Sequence, residues 1–328
     1  MSSGGAPPDA ADLLTTWTWA PAADALIVVA VIAYLAATGR YRRSRRVRWP
    51  TGRTLCWLIG AVFAAACVNS ALAVFSRNLL WVHMIVHLLL ITVVPALAVW
   101  AQPIRLVHGA VGPQRFVSPL RKSRIVRWST TPLLTVPLYS VVLVGTHLTG
   151  FQQLVPHRMW LHNFELGLYL LSGYLLLLPI VGAELSAVAL APLLRIVVLI
   201  MCMGPDTLVG VVLMLTGVPS APAHSEGRQW GPTAMADQKL AGGIMWWGGD
   251  GLMMILVLVV AAQWIRASSD RGSDLGPWLD RVRQQTLLGT DTDVDVDQDE
   301  AALAAYNARL AALHGVAPRA PGFRRHSD

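Results

Sequence analysis

Two histidines stand inside a stretch that is otherwise apolar enough to cross a bilayer. Leu80–Pro103 reads LWVHMIVHLLLITVVPALAVWAQP, with His83 and His87 spaced H-x-x-x-H. On a helix, positions i and i+4 share a face. Both imidazoles therefore point the same way, about 6 Å apart along the axis. An ionisable side chain within a membrane is costly and by default marks function. Neutral imidazole is a common metal ligand, so the pair reads as half of a metal or haem site. The simpler alternative is two histidines hydrogen-bonded to neighbouring helices.

The composition defines the setting. Of 328 residues, 54% are hydrophobic and 14% charged, against about 25% charged in a soluble protein. The expected fold is all-α, a polytopic membrane bundle of seven helices near residues 22–38, 54–75, 80–100, 131–149, 160–181, 191–216 and 243–265. Each approaches the length needed for about 30 Å of hydrocarbon. The net charge of +7 does not call for nucleic acid, because the arginines gather in two short connections. Arg40, Arg42, Arg43, Arg45, Arg46, Arg48 and Arg53 follow the first span. Arg105, Arg115, Arg121, Lys122, Arg124 and Arg127 follow the third. The alternate connections are poor in basic residues, with Arg77 alone between the second and third spans and Arg158 alone between the fourth and fifth. Such asymmetry places the basic side in the cytoplasm, the N-terminus outside and the C-terminus inside. Cys56, Cys67 and Cys202 all lie in apolar spans without a C-x-x-C pair, so neither a disulfide framework nor a paired-thiolate motif is expected.

Three regions follow: an outer arm over 1–21, a membrane domain over 22–268 in contact with lipid, and a cytoplasmic tail over 269–328. The tail holds the acidic run TDTDVDVDQDE at Thr290–Glu300, read as a solvated linker. Next comes Ala301–His314, read as a short amphipathic helix. No signal-peptide charge pattern precedes the first span, which reads as a retained anchor.

With this topology, His83, His87, His147, His157 and His162 fall in one layer near the outer surface, five of the nine histidines. Asp206 and Asp250 join it, with Met203 and Met254 each one turn away. Met235 lies near the same level. For the methionines, core filling is the ordinary explanation; for the carboxylates, a structural hydrogen bond competes with function. Imidazole and thioether together favour copper, and imidazole alone suits zinc or haem iron equally. His224 stands by itself in the long outer loop before the last span, and its replacement is expected to matter much less than that of His87. Gly242, Gly243, Gly248, Gly249 and Gly251 lack the strand and Lys-Ser/Thr of a phosphate loop, and helix packing explains them. No catalytic constellation is present in the pattern, so the chain reads as a non-enzyme.

Three stretches resemble a known family: VHMIVHLLLITVVPALAVWAQP from Val82, HRMWLHNFELGLYLLSGYLLLLP over His157–Pro179, and MADQKLAGGIMWW over Met235–Trp247. They are similar to the CtaG-type cytochrome c oxidase assembly factors, seven-span proteins of the bacterial cell membrane required for caa-type oxidase. The resemblance covers roughly residues 20–270. It implies that His83, His87, His147 and His162 are the family's histidines and that Asp237 and Gln238 are its Asp-Gln pair. It also implies cytochrome c oxidase subunits as partners and copper handling at the outer face. Where the family pattern has a further histidine one turn after His162, this chain has Leu166, with His157 or Met159 as the nearest substitutes. A copper permease and a b-type haem protein are the rival expectations.

Overall fold

A computed structural model describes residues 15–111, 131–155, 158–182, 190–225 and 228–283, with 128, 304 and 308 as single positions. The described residues are all-helical, without strands. The acidic run, His157 and most of the N-terminal arm lie outside them. So does the amphipathic segment, except Ala304 and Ala308. The chain divides into two compact units, Met1–Ala261 and Ala262–Asp328, and the bundle belongs to the first.

The main helices are α1 (Pro21–Arg45), α2 (Thr51–Asn69), α3 (Leu80–Leu88), α4 (Val94–Ala101), α5 (Pro103–Val111), α6 (Pro132–His147), α7 (Met159–Ile180), α8 (Pro192–Leu215), α9 (Ala234–Gly243) and α10 (Gly249–Arg283). A π turn, Leu89–Val93, joins α3 to α4, and another, Ile244–Gly248, joins α9 to α10. Six helical stretches among the described residues are long and apolar enough to span a membrane; α6, at 16 residues, is a shorter apolar helix. At 1.5 Å per residue it is about 24 Å long. Leu26, Val29, Ile32, Leu133, Val141 and Leu258 are exposed, as contact with lipid chains requires.

The stretch Leu80–Ala110 is the axis of the bundle. Inside its most apolar window 72% of residues are buried, against 6% in α1. Pro95 explains its π turn. A proline lacks the N–H and clashes with the carbonyl four residues earlier, here Ile91. The turn opens around that carbonyl, and α7 packs directly on it through Gly173. A Cβ at Gly173 would collide with the Ile91 carbonyl. α8 and α9 cross equally closely. A Cβ at Gly210 would lie 2.7 Å from the Gly242 oxygen, and one at Gly242 would lie 2.6 Å from the Gly210 oxygen. Small residues at crossings let backbones approach in membranes.

The structure moves one boundary. The last membrane helix begins at Ala234 and not near 243, because Thr233 caps it by accepting from the Ala236 N–H at 3.3 Å. Asp237 and Gln238 thus sit in its first turns. Asp250 lies 16 residues inside, about 24 Å from the start, well below the layer where the sequence pattern placed it.

Candidate metal centre

His83 and His87 project from one face of α3, as their spacing requires. Their ring centroids are 3.9 Å apart, and both rings are buried. Opposite them α7 brings Glu165, three residues after His162 and fully buried. One carboxylate oxygen, Oε1, lies 3.7 Å from His87 Nε2; the other, Oε2, lies 3.7 Å from His83 Nε2. His162 Nδ1 is 3.9 Å from the same Oε2. The carboxylate is oriented from behind: Gln152 donates to Oε1 at 2.8 Å and the Tyr169 hydroxyl donates to it at 3.3 Å.

The pattern of satisfied and unsatisfied atoms is informative. Buried polar groups in proteins are nearly always hydrogen-bonded. Yet His83 Nε2, His87 Nε2 and Glu165 Oε2 are buried with no hydrogen-bond partner. One ligand atom each from His83, His87 and Glu165 falls within 4.8 Å of the others. Two ligands about 2.0–2.1 Å from one tetrahedral ion stand roughly 3.3 Å apart. The residues present therefore fit a borderline transition-metal ion after small side-chain adjustments.

His147, at the last turn of α6, meets His87 edge-on, with His87 Nδ1 3.0 Å from His147 Nε2. Its other nitrogen, Nδ1, is 2.8 Å from the Leu143 carbonyl oxygen and 3.0 Å from the Thr146 hydroxyl. Thr146 in turn bonds the Tyr169 hydroxyl.

His224 departs most from expectation. It is not isolated in solvent. It sits on the turn Pro222–His224, is buried, and its ring lies 5.1 Å from that of His83. Burial, reinforced by the neighbouring His83, pushes its pKa down to about 3. The imidazole is thus neutral and keeps a lone pair available at any physiological pH. Its Nδ1 has no hydrogen-bond partner.

The Asp-Gln pair does not touch the imidazoles; it holds what carries them. Asp237 accepts from the Leu80 N–H at 3.1 Å and the Trp81 N–H at 3.0 Å. It therefore caps the helix of His83 and His87 from 157 residues away, where the first N–H groups lack intrahelical partners. Arg228 pairs with the same carboxylate at 3.3 Å. Gln238 accepts from the Ser220 N–H at 2.6 Å and donates to the Leu213 carbonyl at 3.0 Å. Those bonds fix the chain that leads to His224.

Asp206, Asp250 and Met203 lie elsewhere. Both oxygens of Asp206 accept from the Tyr139 hydroxyl, at 3.1 and 2.9 Å. Asp250 accepts from Thr207 at 2.8 Å. Met203 packs against the apolar core, and Met235 stands in the first turn of α9. Leu166, where the resemblance has a histidine, is also core.

The sequence pattern of the cytochrome c oxidase caa3 assembly factors matches residues 32–267. This chain belongs to that family. The chain is accordingly a multi-pass protein of the cell membrane. It is similar to an uncharacterized protein of Mycobacterium leprae, 27% identical over 79% of this chain and 41% of the relative. An uncharacterized protein of Mycobacterium bovis is also 27% identical, over 94% of this chain and 46% of the relative. The chain therefore spans less than half the length of these relatives. No solved structure matches it.

Two residues of the candidate centre were not assigned to it from sequence, Glu165 and His224. Glu165 had a signal, since it is the sole acidic residue within Met159–Ile180 and an intramembrane carboxylate is functional by default. His224 had none, because only the tertiary fold brings the loop onto α3.

Proposed function

We propose that this assembly factor holds a copper ion through His83, His87 and Glu165 and passes it to a cytochrome c oxidase subunit, without turning over a small substrate. The observation that carries the reading is the convergence of His83, His87 and Glu165, whose ligand atoms fall within 4.8 Å of one another and each of which keeps a buried atom without a hydrogen-bond partner, in a family that assembles an oxidase. Two imidazoles and a carboxylate suit Cu(II) or zinc. The choice of copper rests on the metal demand of a haem–copper oxidase. With the arginine-rich connections in the cytoplasm, the centre lies in the extracytoplasmic half of the bundle.

The geometry disfavours the rivals. A b-type haem needs two imidazoles facing each other across the width of a macrocycle. Here the His87 ring lies 3.9 Å from His83 and 4.1 Å from Tyr169. A permease needs polar groups open to a path along its depth, whereas the deeper carboxylates Asp206 and Asp250 each accept from a neighbouring hydroxyl, Tyr139 and Thr207.

The test is copper content and copper titration of the purified protein, together with oxidase activity in a deletion strain with and without added copper. The expected result is one tightly held copper, lost in both His83→Ala and His87→Ala, and an oxidase defect relieved in part by copper. Unchanged copper affinity in both variants would overturn the site. An oxidase defect persisting in variants that still bind copper would turn the histidines into docking contacts.

A further inference from the structure

The geometry points to His147 as the residue that sets the proton on His87, and not as a ligand itself; this rests on the copper reading above. The argument follows the protons along three groups. A carbonyl oxygen only accepts, so the 2.8 Å contact between Leu143 O and His147 Nδ1 requires a proton on that nitrogen. A neutral imidazole carries one N–H. His147 Nε2 is therefore the lone-pair side, and it faces His87 Nδ1 at 3.0 Å. That contact is a hydrogen bond only if His87 Nδ1 bears the proton. The lone pair of His87 is then forced onto Nε2, the atom 3.7 Å from Glu165 and without a hydrogen-bond partner.

The backbone carbonyl of one helix thus fixes the tautomer of a histidine on another, through one intervening ring. Both nitrogens of His147 are engaged, which leaves it nothing to offer a metal. Behind a ligating histidine, an acceptor of this kind orients the ring and raises the basicity of the ligating nitrogen. His83 has no such partner, since both of its ring nitrogens lack one. The two ligands of α3 are therefore inequivalent, with His87 the pre-set one.

The first test needs no metal. Nitrogen-15 NMR of histidine-labelled protein in nanodiscs should show both His87 and His147 protonated at Nδ1 and bare at Nε2. An Nε2–H tautomer at either residue overturns the inference. The second test compares His147→Leu with His147→Gln. The glutamine oxygen can still accept from His87 Nδ1; leucine cannot. Copper affinity should fall about 10–100-fold in the leucine variant, the range for loss of an outer partner, and stay within a few-fold of wild type in the glutamine variant. The imidazole count around bound copper, read by X-ray absorption and pulsed EPR, should be the same in wild type and both variants. Loss of one imidazole in both would make His147 a ligand. Equal affinity in leucine, glutamine and wild type would reduce it to packing. If wild type binds no copper, the proposed function falls while the NMR result still decides the tautomers. If the leucine variant does not fold, the glutamine variant's imidazole count and the NMR spectrum decide.

Discussion

Glu165 and Asp206 are both fully buried carboxylates of an apolar bundle, carried by successive membrane helices, and their surroundings differ in kind. Asp206 faces a hydroxyl that donates to both of its oxygens, with Gly249 pressed against the carboxylate. Its needs are met by the protein. Glu165 receives donors on one oxygen only; the other looks across 3.7–3.9 Å at His83 and His162, too far for a hydrogen bond. An intramembrane carboxylate is therefore not by itself a sign of a ligand site. What distinguishes the two is whether an oxygen is left over, and whether imidazoles share its side.

The largest effect should come from the unsatisfied member. Glu165→Gln preserves shape and removes the charge, and copper affinity should fall by more than about 100-fold, beyond the range for outer partners. Titration of the purified variant checks this; an affinity within threefold of wild type would erase the distinction between the two carboxylates. The satisfied member should behave oppositely. Tyr139→Phe leaves Asp206 buried without its donor and should cost about 1–3 kcal/mol of stability. Thermal unfolding in detergent would register that loss while copper affinity stays within threefold. A drop in affinity would link Asp206 to the metal after all.

The approach of Glu165 to α3 depends on Gly173. Gly173→Ala drives a methyl group into the Ile91 carbonyl, and overpacking of this kind costs about 1–3 kcal/mol. Thermal unfolding should show the loss, with copper weakened several-fold because the whole of α7 is displaced. An unchanged melting temperature would mean that the two helices need not be so close. Smallest is Gln238→Ala, which removes the ties to Ser220 and Leu213 and should cost about 1 kcal/mol. Limited proteolysis should then cut within 216–225 faster than in wild type, with copper affinity lowered only a few-fold. Resistance equal to wild type would assign the loop's placement to His224 and Arg228 in place of Gln238.

Much of this was legible in the chain. The helices follow from apolar length, and the shared face of His83 and His87 follows from a spacing of four. The Asp-Gln pair stood out by resemblance, but its role did not, because the Leu80–Asp237 bond spans 157 residues and hydropathy carries no information about such pairing. The early start of the last helix was hidden for a similar reason. Ala234–Gly243 mixes Asp237, Gln238 and Lys239 with small and apolar residues and is held by the Thr233 cap and by the close approach of Gly210, neither of which hydropathy weighs. His224 was misjudged because a proline-rich loop of low hydropathy resembles one exposed to water; its burial depends on contacts with other elements. Glu165 was visible as a lone acid in an apolar helix, whereas its orientation depends on Gln152 and Tyr169, supplied by the chain before it and by the next turn.

The cap that Asp237 places on Leu80 and Trp81 has a consequence for biogenesis. A ribosome makes this chain from the N-terminus, so the histidine helix enters the membrane long before its capping carboxylate exists. Until the last span is inserted, two backbone N–H groups at the head of α3 lack their partner, and the turn bearing His224 lacks its Gln238 anchor. The centre is thus completed only when the span that begins at Ala234 is inserted. A nascent or prematurely terminated chain has the histidines but not the framework that aims them, so the copper binding proposed above requires the span that carries Asp237.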